Sequence, residues 1–168
     1  MTEKFILWAQ ALDNASPDHF YFRGEKLSAD DSVRREEAVS LVSSVIKKGE
    51  RVYDVGGVRL TVDGHHFVLE VLSAERDRAG RAAPIVCYGE YDAAGVDALG
   101  DDAFDALRKF AKDIGRTLQP ERAEIERAFE ELKKNTSTLK PMSTVGIAAA
   151  VLVLLAMIFY WLARRSRP

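Results

Sequence analysis

The chain has 168 residues, with 24 Lys and Arg against 26 Asp and Glu, for a formal charge of −2. This length suits one hydrophobic core and is short for two. Before residue 145 the balance is 21 Lys and Arg against 26 Asp and Glu, a net charge of −5. An acidic surface argues against nonspecific nucleic-acid binding, so no nucleic-acid partner is expected.

The cysteine content and the N-terminal residues indicate the cellular compartment of the N-terminal part of the chain. Cys87 is the only cysteine, so no intrachain disulfide can form, which suits a reducing environment. Residues 1–8 contain one lysine and a short apolar run with no cleavage site, unlike a signal peptide. We therefore expect the N-terminal part of the chain to be cytoplasmic.

The first predicted elements are two helices separated by a short aromatic strand at residues 20–22. Residues 2–12 favour a helix, capped by Thr2, because apolar side chains recur at helical spacing. Polar capping residues at 28–32 and a glycine at 49 bound the second helix. The predicted buried positions of the first helix are Phe5, Trp8, Ala9 and Leu12, and those of the second are Ala38, Leu41, Val42, Val45 and Ile46.

The pattern then alternates with a period of two, which predicts half-buried strands. Val58, Leu60 and Val62 alternate with polar residues, and Asp63-Gly64 predicts a hairpin. The preceding Gly56-Gly57 pair is expected to form a bulge. Strands at residues 65–72 and 85–91 complete an antiparallel meander.

Two amphipathic helices follow the meander. The first is expected to open at Asp101 or Asp102, and the second has Pro120 in its first turn. The predicted fold class is α+β, with N-terminal helices, a three- or four-stranded antiparallel sheet, two C-terminal helices and one transmembrane helix. The predicted domains are a head at 1–135, a polar linker at 136–144, a transmembrane helix at 145–163 and a basic tail at 164–168.

The transmembrane prediction rests on an uncharged apolar run at residues 145–163. About nineteen residues at ~1.5 Å each span roughly 28 Å, close to the hydrocarbon core of a bilayer. Tyr160 and Trp161 fit an interfacial aromatic belt, and Arg164 and Arg165 follow it. We therefore predict a tail-anchored, single-pass protein in a lipid bilayer, with a buried core helix as the alternative.

A contact surface is predicted on the second face of the sheet. If residues 67, 69 and 71 face the helices, the opposite face carries apolar side chains, and such an outward patch indicates a binding surface. The alternative is that the first helix or residues 20–22 cover it. The predicted patch comprises Val68, Leu72, Val86 and Tyr88, with Arg76, Asp77 and Arg78 as a charged rim.

Three functions follow from these features. The leading hypothesis is a membrane-tethered protein-binding or regulatory module, with a protein partner or a homo-oligomer. The second is an oligomerising, membrane-perturbing effector, because Gly146 and Ala150 stand four apart and allow close helix contact. The third is a membrane-attached hydrolase that uses Cys87 or carboxylates on the strands.

We predict no metal, cofactor or catalytic site. His65 and His66 are adjacent on a strand, point to opposite faces and are poorly placed for one ion. Cys87 fits a small buried thiol, and Gly56-Gly57 lacks the Gly-Lys-Ser/Thr of a phosphate-binding loop. The strand carboxylates considered for a divalent cation are Asp54, Asp63, Glu70, Glu90 and Asp92.

Overall fold

The computed structural model describes residues 2–10, 12, 17–92 and 94–137. The chain divides into two compact units, of which the first comprises residues 1–134 and the second begins at residue 135. The first unit contains a seven-stranded sheet. Its strands are β1 (Ile6–Gln10), β2 (Pro17–Phe22), β3 (Glu25–Leu27), β4 (Arg51–Val55), β5 (Val58–Asp63), β6 (His66–Arg76) and β7 (Ala82–Glu90). The described helices are α1 (Ser32–Lys48), α2 (Val96–Asp113) and α3 (Arg122–Ser137), after a 3-10 turn at Thr2–Lys4.

The sheet consists of two antiparallel meanders joined in the middle. Its strand order is β3-β2-β1-β7-β6-β5-β4, and each neighbouring pair is antiparallel. The two meanders meet where β1 pairs with β7, with Ile6 opposite Tyr88. Helix α1 connects β3 to β4, the two edge strands, so the chain must cross a whole face of the sheet.

Each face of the sheet packs against at least one helix, which gives the fold two cores. Because side chains alternate along a strand, Leu7 lies in one core while Ile6 and Trp8 lie in the other. The larger core contains the apolar faces of α2 and α3, including Phe110 and Ile125. The smaller core lies beneath α1, which contributes Ala38, Val42 and Val45.

The predicted helix at residues 2–12 is wrong. Thr2–Lys4 form the 3-10 turn and Ile6–Gln10 form strand β1, which lies inside the sheet between β2 and β7. A central strand covered on both faces is apolar at nearly every position, so the period of two disappears from the sequence. Phe5, Ile6, Leu7, Trp8 and Ala9 are all buried.

The predicted sheet of three or four strands is also wrong, since the structure has seven. Besides β1, the prediction missed β3 as a separate strand and treated β4 and β5 as one strand with a bulge. Gly56-Gly57 instead forms the hairpin turn between them, with Val55 opposite Val58. The next hairpin turns at Gly64-His65, one residue later than predicted, so Asp63 pairs with His66.

The predicted second helix is confirmed as α1, although Ile46 is 46% exposed rather than buried. Helix α2 begins at Val96, earlier than predicted, and the Asp92 carboxylate accepts the Gly95 N–H at 2.6 Å just before it. Helix α3 begins at Arg122, soon after Pro120. The two C-terminal helices are therefore confirmed, with shifted starts.

The transmembrane part of the fold prediction is corrected as well. None of the helices within residues 2–137 that the structure describes is long and apolar enough to cross a bilayer. The predicted membrane helix at 145–163 and basic tail at 164–168 lie outside the described residues. The interfacial residues predicted there lie outside them too, namely Tyr160, Trp161, Arg164 and Arg165.

Candidate functional site

Helix α1 covers most of the contact surface that the sequence predicts on the second face of the sheet. Val68 and Tyr88 are paired across β6 and β7 and belong, with Val86, to the core beneath α1. These three side chains are at most 6% exposed, whereas Leu72 is half-buried. The prediction that all four form an exposed patch is therefore wrong. A helix does cover the patch, but it is α1 and not residues 2–12.

Two contacts show how α1 lies on the sheet. Arg34 donates to the Glu25 carboxylate at 2.6 Å, and Glu25 pairs with Phe22. The Arg35 guanidinium lies 4.7 Å from the ring centroid of Phe20, two residues along the same strand. One flank of α1 therefore faces the Phe22 end of the strands, and the other flank faces the Phe20 end.

The flank on the Phe20 side carries exposed apolar residues. Positions four and eleven residues after Arg35 share its side of the helix, which places Val39 and Ile46 there. They are 40% and 46% exposed. On this side of α1 the sheet continues beyond Val68 and Val86 to Leu72 and Pro84.

A groove of about 400 Å³ lies on this uncovered part of the sheet. We call it the end groove. Leu72 and Pro84, opposite each other on β6 and β7, give it an apolar floor. Its rim is charged and comes from three successive strands, β4, β5 and β6. The charged lining residues are Asp54, Arg59 and Glu70.

The rim charges are unevenly paired. The Arg59 Nε–H donates to the Asp54 carboxylate at 2.9 Å, and this hydrogen bond, aided by the charge of Glu70, raises the pKa of Arg59. Glu70 lies directly opposite Arg59 on β6, yet within the described residues its carboxylate accepts no hydrogen bond. The end groove therefore offers a carboxylate acceptor that is open to an incoming group.

The predicted arginine rim lies at the outer end of the same groove. Arg76 pairs with Ala82, a lining residue, and its side chain is exposed. Arg78 lies in the turn between β6 and β7. In that turn the Asp77 carboxylate accepts the Arg81 N–H at 2.8 Å, and this bond first of all lowers the pKa of Asp77. The structure thus places Leu72 in the end groove, with Arg76 further along the same strand, and leaves Val68, Val86 and Tyr88 beneath α1.

A second cavity, of about 290 Å³, lies at the opposite end of the same face. Tyr88 and Glu90 line it, and Arg23 approaches Glu90 at 3.9 Å. The Tyr88 hydroxyl lies 2.9 Å from His66 Nδ1, and burial raises the pKa of Tyr88. The Tyr88 hydroxyl and the His66 imidazole are engaged with each other, and the cavity lacks the apolar floor that Leu72 and Pro84 give the end groove.

The residues considered for catalysis are not assembled into a site. Cys87 is buried in the larger core, where loss of solvation raises the pKa of its thiol, and thiols react as thiolates. His66 lies on the opposite face of the sheet, beside Tyr88. Among the described residues, no three His, Cys, Asp or Glu side chains are grouped to hold a metal ion. Cys87 is thus a buried thiol, as the sequence predicted.

The sequence prediction missed Asp54, Arg59 and Glu70 as a combined rim and missed the exposed flank of α1. The rim depends on β4 and β5 forming a hairpin, which the Gly-Gly pair indicates in retrospect because it suits a two-residue turn. The flank had a sequence signal as well. Apolar residues lie on more than one side of α1, and Ile46 lies off the stripe that Ala38 and Val45 define.

Comparison with known proteins adds no name to this site. No protein family model, curated protein or solved structure matches the chain. The function is therefore argued from the residues of the groove.

Proposed function

We propose that this chain is a binding module whose end groove receives a segment of another protein. One observation supports this proposal above all. Leu72 and Pro84 form an apolar floor that α1 leaves open, on the side of the helix that carries the exposed Val39 and Ile46. Apolar surface bordered by charged side chains is typical of interaction sites.

The arrangement favours binding over hydrolysis. A groove that binds needs apolar contact and a few open polar groups, and Leu72 with Glu70 supplies both. A cysteine hydrolase needs a thiolate beside a base, whereas Cys87 and His66 lie on opposite faces of the sheet. The groove is an open surface feature of about 400 Å³, so we expect affinity of about 1–100 μM for a short segment.

The proposal is tested with the full-length chain and a displayed library of random peptides about 14 residues long. Peptides selected on the wild type should lose binding to Leu72→Glu, because a carboxylate then lies on the apolar floor. The matched control is Val33→Glu, the same type of change at a residue that is 76% exposed at the start of α1. Circular dichroism should show both variants folded.

The two variants separate the possible results. Loss of binding in Leu72→Glu with retention in Val33→Glu supports the end groove as the binding site. Equal binding to both variants, or no selectable peptide at all, contradicts the proposal.

A further inference from the structure

We infer that the segment received by the end groove is a short amphipathic helix, with basic residues on its edge nearest α1 and acidic residues on its outer edge. This inference rests on the proposed function and specifies the chemistry of the partner. It has three supports: the direction of the groove, the spacing of apolar residues on α1 and the distribution of charge.

The groove runs across the strands. Its lining residues Asp54, Arg59, Glu70 and Pro84 belong to four adjacent strands, β4, β5, β6 and β7. Three inter-strand spacings of ~4.8 Å give a length of about 14 Å. An extended peptide in this direction crosses the strands and cannot join their hydrogen-bond ladder. A helix satisfies its own backbone, and about ten residues at ~1.5 Å cover that length.

The flank of α1 on the groove side has the spacing of a helix-packing surface. Val39 and Ile46 are seven residues apart, or two turns, so they present two apolar side chains in a row along α1. A second helix that lies parallel to α1, at the usual packing distance of about 8–10 Å, contacts both Val39 and Ile46. The floor residue Leu72 then contacts the underside of the same helix.

The open charges have opposite signs on the two sides of Leu72. Glu70, two residues before it on β6, lies nearer α1 and accepts no hydrogen bond within the described fold. Arg76, after it on the same strand, is exposed and forms no ion pair with any described residue. Arg59 does not neutralise Glu70 fully, because its Nε–H is directed to Asp54.

These positions determine which helix is complementary. Lys or Arg on the α1 side meets Glu70, and Asp or Glu on the outer side meets Arg76. A charge left unpaired when a helix covers the groove loses solvation, so the opposite arrangement is disfavoured. The inferred partner is therefore a helix with apolar residues every three or four positions, flanked by basic residues on one side and acidic residues on the other.

The test uses the peptides selected on the full-length wild-type chain and measures dissociation constants by fluorescence anisotropy. Selected peptides should become helical when bound and should share a basic flank. Glu70→Lys should weaken their binding by about tenfold or more, and changing the basic residues of the peptide to Glu should restore binding to that variant. The control is Glu37→Lys, the same charge change on the flank of α1 that carries Arg34; it should leave affinity unchanged.

Failure of the inference differs from failure of the proposed function. Peptides that bind the groove, as judged by Leu72→Glu, but lack a basic flank or remain extended overturn the inference and leave the binding module intact. Self-association of the wild type that Leu72→Glu abolishes identifies a second copy as the occupant and overturns it too. Equal weakening by Glu37→Lys and Glu70→Lys shows that bulk charge governs binding and overturns the assignment of Glu70.

Discussion

Glu75 and Thr117 hold the connection between α2 and α3 against the end of β6. Both oxygens of the Glu75 carboxylate accept the Thr117 N–H, at 3.0 and 3.1 Å. The Ala74 N–H donates to the Thr117 carbonyl at 2.9 Å, and the Gln119 N–H donates to the Leu72 carbonyl at 2.9 Å. The connection therefore supports the strand that carries the floor of the end groove.

We expect this contact to make stability depend on pH. Burial acts to raise the pKa of Glu75, but hydrogen bonds, that from Thr117 foremost, outweigh it and hold the pKa below its usual 4.5. A lowered folded-state pKa contributes stability above the unfolded value, and this contribution is lost as the pH falls through the folded value. Glu75→Gln should therefore lower the urea midpoint at about pH 7 and show a smaller decrease between about pH 6 and pH 3 than the wild type.

The matched control for this pH prediction is Glu37→Gln, at an exposed glutamate on α1. Its urea midpoint should follow the wild-type pH dependence. A Glu75→Gln curve parallel to the wild-type curve across the same range would show that the Thr117 contact does not contribute.

Gly89 should not tolerate a side chain, although its backbone angles are ordinary. A Cβ atom there would lie 2.6 Å from the Phe67 ring and 2.9 Å from the Phe5 ring, inside the larger core. Gly89→Ala should lower the free energy of unfolding by about 1–3 kcal/mol, because the two rings must move. Gly57→Ala is the control, since no atom lies within 4 Å of its Cβ position. Chemical denaturation of both variants measures the difference, and equal stability would refute the steric argument.

Cys87 should be unreactive in the folded protein. It is fully buried and its pKa is raised, so the thiolate that attacks a disulfide reagent is scarce. We expect the reaction with an aromatic disulfide reagent to be slow without denaturant and fast in unfolding concentrations of urea, as absorbance records. Cys87→Ala should reduce stability by about 1–2 kcal/mol without altering peptide binding. Fast labelling of the native chain would show that the strand is more open than described.

Substitution by aspartate should destabilise the protein more at Val68 than at Leu72. Val68 is 0% exposed beneath α1, so Val68→Asp places a carboxylate in the smaller core and should cost about 3 kcal/mol or more. Leu72 is half-buried at the edge of the groove, and Leu72→Asp should cost about 1 kcal/mol. Thermal and urea unfolding measure both. Similar losses for the two variants would indicate that α1 does not cover Val68.

Helices α2 and α3 were largely predictable because each has one apolar face. Leu107 and Ile125 recur with neighbours at helical spacing, and both are buried. Strand β1 was not predictable in this way. Ile6 and Leu7 face different cores, and a segment that is apolar on both faces has no period to separate strand from helix.

The predicted binding patch could also be derived only in part from local sequence patterns. Alternation correctly assigned Val68 and Tyr88 to one face of the sheet. Whether that face is open depends on where α1 lies, and this follows from the connection between β3 and β4 at opposite edges. Long-range strand order has no local signature in the sequence, so the division of the patch into a covered centre and an open Leu72 could not be derived from it.

The pairing of β1 with β7 has a consequence for how the protein is made. Ile6 is synthesised long before its partner Tyr88, because most of the sheet and α1 lie between them in the sequence. At a translation rate of about 5–20 residues per second, β1 remains without its partner strand for several seconds, with both apolar faces uncovered. Translation speed and chaperone access during that interval should therefore affect the yield of folded protein more than changes in α3 do.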